Sequence, residues 1–163
     1  MSQLDHAPRP VAKQTILVVD DESAIVHLCK AILEQAGFYV LPAANSSEAL
    51  RILKTHREPI HLLLTDIVMP PPEFSFASSS NEFPNVHGHD LAVRALHLRN
   101  GLRVILMSGN IDQELARYGI RRGRFPFLPK PFESQALIAR VQLTLQAPPP
   151  SIEALTGTPS GLR

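Results

Sequence analysis

The chain has 163 residues, of which 44% are hydrophobic and 19% charged, and its formal net charge is +1. These proportions are ordinary for one globular domain with a buried core, and the near balance of charge gives no basis for expecting a nucleic-acid or membrane partner. The single cysteine excludes an internal disulfide framework, and no apolar run is long enough for a signal peptide or a membrane span, so we expect a cytoplasmic protein.

Short apolar runs, rich in β-branched residues, recur along the chain and predict strands buried on both faces, as in a parallel sheet. The predicted strands cover 16–19, 38–41, 60–67, 103–107 and 125–128. The last of them contains Pro126. Because proline cannot donate a hydrogen bond to a neighbouring strand, we expect this strand at an edge of the sheet.

Segments with apolar residues at helical spacing alternate with the strands. The predicted helices cover about 25–36, 46–53, 90–99, 111–122 and 133–146. Gly37 is expected to end the first helix, Asn45 or Ser46 to cap the second, and Gly119 lies inside the fourth. Five strands alternating with five helices predict an α/β fold with a doubly wound parallel sheet.

Three segments lie outside this alternation and define the domain organisation. We expect residues 1–13 and the Pro/Gly-rich residues 148–163 to be tails of a domain that spans 14–147. Residues 71–87 are rich in proline and serine and lack periodicity, so they predict a long surface loop.

Polar residues follow the predicted strands at the points where these end. They are Asp20 and Asp21 after the first strand, Asp66 in the third, Ser108 after the fourth and Lys130 after the fifth. The carboxyl ends of the strands of such a sheet form one functional crevice, so we expect these groups to meet there. Three carboxylates in one crevice repel each other, and a hard cation such as Mg²⁺ would offset the repulsion.

This combination of groups suits phosphoryl transfer to a carboxylate. Asp66 would be the nucleophile, Lys130 and Mg²⁺ would neutralise the phosphoryl oxygens, and Ser108 would donate to one of them. Each group alone also has a structural interpretation, because an acidic pair after a strand commonly caps a helix or lies in a solvated turn. The coincidence of several groups at successive strand ends favours the chemical interpretation.

Four sequence segments resemble the response-regulator receiver domains of bacterial two-component signalling, and the resemblance extends over about residues 14–147. The matching segments are ILVVDDE, LLLTDIVMP, MSG and FLPKPF. The resemblance implies a flavodoxin-like sheet with the strand order 2-1-3-4-5. It also implies that Asp66 is the phosphoacceptor and that Asp20, Asp21, Asp66 and the backbone carbonyl of Val68 bind Mg²⁺.

The resemblance further implies a partner and an output. A sensor histidine kinase or a phosphotransfer protein would supply the phosphoryl group, and the domain would catalyse only its own phosphorylation and dephosphorylation. Ser108 would move toward the phosphoryl group and leave space for Phe127 to turn inward, which changes a surface that a downstream protein reads. Phe127 is alternatively a core residue of an edge strand.

The sequence departs from the family in two places. Seventeen residues separate Pro70 from Gly88, a longer connection than is usual. This insertion is either passive, or it covers the acidic site or docks a partner. We expect the polar residues of 87–90 to face solvent rather than to bind a metal. A basic cluster over 121–124 is either a solvated turn or a contact for an acidic partner.

Only sixteen residues follow Ala147, so we expect no DNA-binding effector domain and an output through protein contact. The protein would act as a single-domain regulator or as the carrier of a phosphorelay. The alternatives are a receiver-like scaffold that works without phosphorylation and a metal-dependent phosphatase with outside substrates.

Overall fold

The computed structural model describes residues 11–69, 86–120 and 123–151, in which strands and helices alternate. The strands are β1 (Thr15–Val19), β2 (Tyr39–Ala43), β3 (Leu62–Asp66), β4 (Arg103–Ser108) and β5 (Phe127–Pro129). The helices are α1 (Ser23–Gln35), α2 (Ser46–Thr55), α3 (Gly88–Leu98), α4 (Ile111–Tyr118) and α5 (Ser134–Gln146). The strands pair in parallel in the order β2-β1-β3-β4-β5, which confirms the predicted fold class and strand order.

The sheet separates two hydrophobic clusters. Apolar side chains of α2, α3 and α4 cover one face, and those of α1 and α5 cover the other. Every residue of β1 and β3 is buried, as their unbroken apolar runs predict. Cys29 lies in the second cluster, where burial, reinforced by the charge of Asp20, raises the pKa of its thiol to about 12. Cys29 is therefore a core residue.

Two glycines end helices by adopting a positive φ angle. Gly37 has φ +95°, and its N–H donates to Glu34 while the N–H of Phe38 donates to Leu33, as at many helix C-termini. Gly119 has φ +66° and ends α4 after Tyr118. The predicted helix over 111–122 is therefore too long, because Gly119 leaves the helical conformation instead of continuing it.

The strand boundaries differ by at most two residues from the prediction. β2 continues to Ala43, β3 is shorter at both ends, and β5 begins at Phe127 rather than Phe125. Pro126 precedes β5 and its carbonyl accepts from Leu106, so the edge position of this strand is confirmed. Asn45 rather than Ser46 caps α2, since its side chain accepts from the N–H of Glu48.

Several predicted features lie outside the described residues. They are the two tails except residues 11–13 and 148–151, the insertion over 71–87 except Val86 and His87, and Arg121 and Arg122 of the basic cluster. Among the described residues, no helix has both the length and the apolar character needed to cross a membrane.

Arg99, directly after α3, links the end of that helix to the last turn of α2 and to the residues that follow α2. Its guanidinium donates to the carbonyls of Leu53 at 2.7 Å, Glu58 at 3.1 Å and His56. We expect Arg99→Lys to lower the free energy of unfolding by about 1.5 kcal/mol, because an ammonium cannot reproduce a planar fork of donors. Urea denaturation measures the change. The exposed Arg94 supplies the matched control Arg94→Lys, and equal effects of the two variants would contradict the assignment.

Candidate acidic site

Residues that follow β1 and β5 meet Asp66, the last residue of β3, at the carboxyl edge of the sheet. The Lys130 Nζ atom lies 2.6 Å from Oδ2 of Asp20 and 3.2 Å from Oδ2 of Asp66. One carboxylate oxygen each from Asp20, Asp21 and Asp66 lies within 4.8 Å of the others. The predicted convergence of these four side chains is therefore confirmed as geometry.

The three carboxylates differ in their surroundings. Asp20 is fully buried, and its second oxygen, Oδ1, accepts from the N–H of Glu22 at 2.9 Å, immediately before α1. Asp66 is also buried, whereas Asp21 is exposed. Asp20 therefore fits both the structural and the chemical interpretation of the acidic pair, because it stabilises the turn into α1 and also contacts Lys130.

Burial dominates the electrostatics of the site. Burial and the charge of Asp20 raise the pKa of Asp66 from 3.8 to about 6, although Lys130 acts in the opposite direction. Asp21 is exposed, but partial desolvation still raises the pKa of its carboxyl, with a contribution from the charge of Asp20. Burial opposes the charge on Lys130, but the hydrogen bond to Asp20 and the charge of Asp66 outweigh it and raise the pKa of the ammonium. One cation therefore only partly compensates this cluster.

The donor set fits a magnesium ion. Carboxylate oxygens are the ligands that Mg²⁺ prefers, and it usually takes one or two of them together with water and phosphate oxygens. The oxygens of Asp20, Asp21 and Asp66 are close enough to serve, and Asp21 leaves the cluster open to solvent. A divalent cation would also remove the repulsion that raises the pKa of Asp66.

A cavity of about 220 Å³ adjoins this cluster. Asp20 and Asp21 form part of its wall, and His27 from α1 and Glu48 from α2 form another part. The cavity therefore adjoins the acidic pair that follows β1.

Ser108 ends β4 at the same edge of the sheet. It follows Met107, which pairs with Asp66, and its carbonyl accepts from the N–H of Lys130 at 2.7 Å. The side chain is fully buried. Its hydroxyl donates to the carboxylate of Glu114 in α4 and accepts from the N–H of Asn110 at 3.1 Å. Ser108 therefore lies beside the cluster, but its proton is engaged by α4.

The sequence prediction missed Glu114. A carboxylate in the first turn of a helix is common because it interacts favourably with the helix dipole, so nothing distinguishes Glu114 from Asp112 in the sequence. The only signal is its position six residues after Ser108, in the first turn of the helix that follows β4.

Gly88 is the second residue at the site whose role sequence reasoning missed. A Cβ atom at this position would lie 1.9 Å from the backbone carbonyl oxygen of Asp66, so α3 packs directly against the end of β3. The N–H of Gly88 donates to the carbonyl of Ile67 at 2.9 Å. The close approach depends on contacts between distant parts of the chain.

The neighbours of Gly88 only partly match the prediction of solvent-facing residues. Asp90 is exposed, but His87 and His89 are half-buried. The Nδ1 atom of His87 accepts from the N–H of Met69, and its ring lies 4.9 Å from the ring of Tyr118. Half-burial of the two histidines follows from packing between α3 and the segments around α4.

Two further predicted residues lie near the cluster. The N–H of Val68 approaches Oδ1 of Asp66 at 3.4 Å, and the metal-binding role of the Val68 carbonyl stays a prediction. Phe127 is half-buried against the hydrophobic cluster formed with α2, α3 and α4. That position suits both a core residue and a residue that turns inward, so both interpretations of Phe127 stand.

Comparison with known proteins places these segments in one family. The family model for the response regulator receiver domain matches residues 16–73. The transcriptional regulatory protein CpxR of Escherichia coli strain K12 is 33% identical over 132 residues, which are 80% of this chain and 49% of CpxR. The DNA-binding transcriptional regulator NtrC of Azospirillum brasilense is 32% identical over 145 residues, which are 88% of this chain and 27% of NtrC. The chain thus spans half or less of the length of these curated relatives.

Solved structures match the fold over a larger share of their length. A response regulator receiver domain protein from Clostridium thermocellum is 30% identical, with a TM-score of 0.64, covering 81% of this chain and 94% of that one. A CheY-like receiver domain protein from Methanospirillum hungatei JF-1 is 28% identical, with a TM-score of 0.63, covering 82% of this chain and 94% of that one.

Proposed function

The chain belongs to the response regulator receiver domain family, and from this premise we propose that it is a phosphorylatable switch whose acceptor is Asp66. The single observation that carries the proposal is the contact of Lys130 with Asp20 and Asp66 inside a cluster of three carboxylates. Receiver domains are signalling switches rather than enzymes that turn over outside substrates, and this chain is proposed to modify only itself.

The chemistry assigned to the site is a displacement at phosphorus. A carboxylate oxygen of Asp66 forms the new O–P bond as the P–N bond of a phosphohistidine in the donor breaks. Lys130 neutralises negative charge on the transferred group, and Ser108 donates its hydroxyl proton to one of the phosphoryl oxygens. Phe127 then turns toward the space that Ser108 vacates.

Asp20, Asp21, Asp66 and the carbonyl of Val68 are proposed to hold Mg²⁺. When bound, the ion supplies positive charge that lowers the repulsion between Asp66 and the incoming phosphoryl group. The protein groups hold the ionised carboxylates in place: Glu22 donates to Asp20 through its N–H, and Lys130 bridges Asp20 and Asp66.

The proposed partners follow from the family. A sensor histidine kinase or a phosphotransfer protein supplies the phosphoryl group. The output through contact with a downstream protein stays a prediction, because CpxR and NtrC are transcriptional regulators much longer than this chain. A cytoplasmic location is proposed on the basis of the single cysteine.

Intact-mass spectrometry after incubation with acetyl phosphate and Mg²⁺ tests the proposal. We expect the wild-type protein to gain one phosphoryl group, and we expect no gain for Asp66→Asn, because an amide is not a competent nucleophile. Omission of Mg²⁺ should slow the gain by at least about tenfold, since the cluster is then short of positive charge.

Asp90→Asn is the matched control, because Asp90 is exposed and belongs to α3 rather than to the acidic cluster. It should gain the phosphoryl group at the wild-type rate. An unmodified wild-type protein would instead support the receiver-like scaffold, and a phosphoryl gain that persists in Asp66→Asn would refute the assignment of the acceptor.

A further inference from the structure

The hydroxyl of Ser108 is hydrogen-bonded to two residues at the start of α4. It accepts from the N–H of Asn110, the residue that caps α4, and it donates to the carboxylate of Glu114. A serine hydroxyl has a single proton to donate. While that proton is bound by Glu114, Ser108 cannot donate to any other acceptor.

The same hydroxyl is the group assigned to the phosphoryl oxygen. Ser108 lies one residue beyond Met107, the partner of Asp66 across β3 and β4. On the function proposed above, this one buried donor would serve two anionic acceptors, the Glu114 carboxylate and a phosphoryl group on Asp66. Hydrogen bonds to both acceptors are charge-assisted and of comparable strength. The Ser108 hydroxyl therefore has no intrinsic preference for the carboxylate over the phosphoryl group.

We propose that Glu114 is a positioning residue that holds the Ser108 proton in the unphosphorylated state and competes with the phosphoryl group for it. This proposal rests on the function proposed above and identifies Glu114 as the group that opposes the switch. Phosphorylation of Asp66 moves the hydrogen bond from Glu114 to the phosphoryl oxygen. The only covalent bonds that change are the O–P bond that forms to Asp66 and the P–N bond that breaks in the donor.

The release of Glu114 has a structural consequence for α4. This helix has only eight residues, between the cap Asn110 and the terminating Gly119. Leu115 is its one buried side chain, and Ile111 and Tyr118 are half-buried against the hydrophobic core. Loss of the bond between Ser108 and Glu114 removes one of the side-chain hydrogen bonds that fix its first turn, while the Asn110 cap remains.

Titration with beryllofluoride in the presence of Mg²⁺ tests the competition, because this ion mimics a phosphoryl group on a carboxylate without being hydrolysed. We expect Glu114→Ala to lower the concentration at half-saturation by about tenfold, since the competing charge-assisted hydrogen bond is gone. Glu114→Gln should shift it by less, because the amide oxygen still accepts from Ser108 without a full charge. The amide signal of Asn110 in a ¹H–¹⁵N spectrum of the free protein reports whether the Ser108 hydroxyl has changed partners.

A mutant cycle separates the hydrogen bond from simple charge removal. If Glu114 acts through Ser108, the variants Ser108→Ala and Ser108→Ala/Glu114→Ala should have the same half-saturation point. Asp112→Asn, which removes a charge from the same turn but leaves the acceptor of Ser108 intact, should behave like the wild type. An equal shift from Glu114→Ala in both backgrounds, or no shift in either, would overturn the proposal.

The proposed function and this inference fail in different ways. The proposed function is refuted if the wild-type protein neither binds beryllofluoride nor gains a phosphoryl group from acetyl phosphate. A wild-type protein that does both, with Glu114→Ala indistinguishable from it, leaves the function intact and removes only the role of Glu114.

Discussion

Gly88→Ala is expected to destabilise the protein by about 3 kcal/mol or more, the largest effect of any single methyl group near the site. The added Cβ atom would lie 1.9 Å from the carbonyl oxygen of Asp66 and 2.8 Å from its carbonyl carbon. Both are backbone atoms of β3 and cannot rotate away as a side chain would, so α3 and the end of β3 must separate. Urea denaturation at neutral pH measures the loss.

Gly109→Ala is the matched control. Gly109 follows Ser108 at the same edge of the sheet, but an added Cβ atom there meets nothing within 4 Å. Its effect should stay within about 0.5 kcal/mol. If Gly88→Ala unfolds at the same urea concentration as the control, α3 does not pack against Asp66 as described.

Asp66→Asn is expected to make the metal-free protein more stable at neutral pH, although it abolishes the proposed function. The pKa of Asp66 is about 6 in the folded protein against 3.8 ordinarily, so between these values the folded chain holds a proton that the unfolded chain has lost. Stability therefore falls as the pH rises from about 4 to about 6 and stays lower above that range. The full loss corresponds to about 3 kcal/mol.

An asparagine avoids this loss but cannot satisfy both contacts of the aspartate, because its amide group has one oxygen to offer to Val68 and Lys130. We therefore expect a gain of about 2 kcal/mol at pH 7.5 and almost none at pH 3.5. Thermal or urea unfolding with a chelator present measures both values. A variant that is less stable than the wild type at pH 7.5, or whose gain is the same at pH 3.5, would contradict the raised pKa.

Added Mg²⁺ provides a second control for the stability of Asp66→Asn. A cation that binds the ionised cluster stabilises the folded wild-type protein in proportion to the logarithm of its concentration. Asp66→Asn should respond more weakly, because one of the three candidate carboxylates is missing.

The fold could be predicted from the sequence because its determinants are local. Unbroken apolar runs predict buried strands, and β1 and β3 are buried at every residue. Pro126 predicts an edge strand, and β5 is at the edge. The end of α4 was missed because a glycine inside an apolar pattern can either continue a helix or end it, and only its φ angle decides.

Some residues of the candidate site could likewise be predicted from the sequence, and others could not. Asp20, Asp66 and Lys130 could be predicted to meet because the topology of a parallel sheet brings its strand ends together. Glu114 and Gly88 could not, because their roles depend on which atoms of α3 and α4 reach the sheet edge. Those contacts are set by tertiary packing, which leaves no periodic pattern in the sequence.

Burial of the only cysteine makes this protein convenient for optical spectroscopy. Cys29 is inaccessible, and a thiol with a pKa of about 12 supplies almost no thiolate to a maleimide near neutral pH. A second cysteine placed on an exposed position of α4, such as Gln113, would therefore be the single reactive thiol. A fluorophore attached there could follow the movement of this helix in real time, without first removing the native residue.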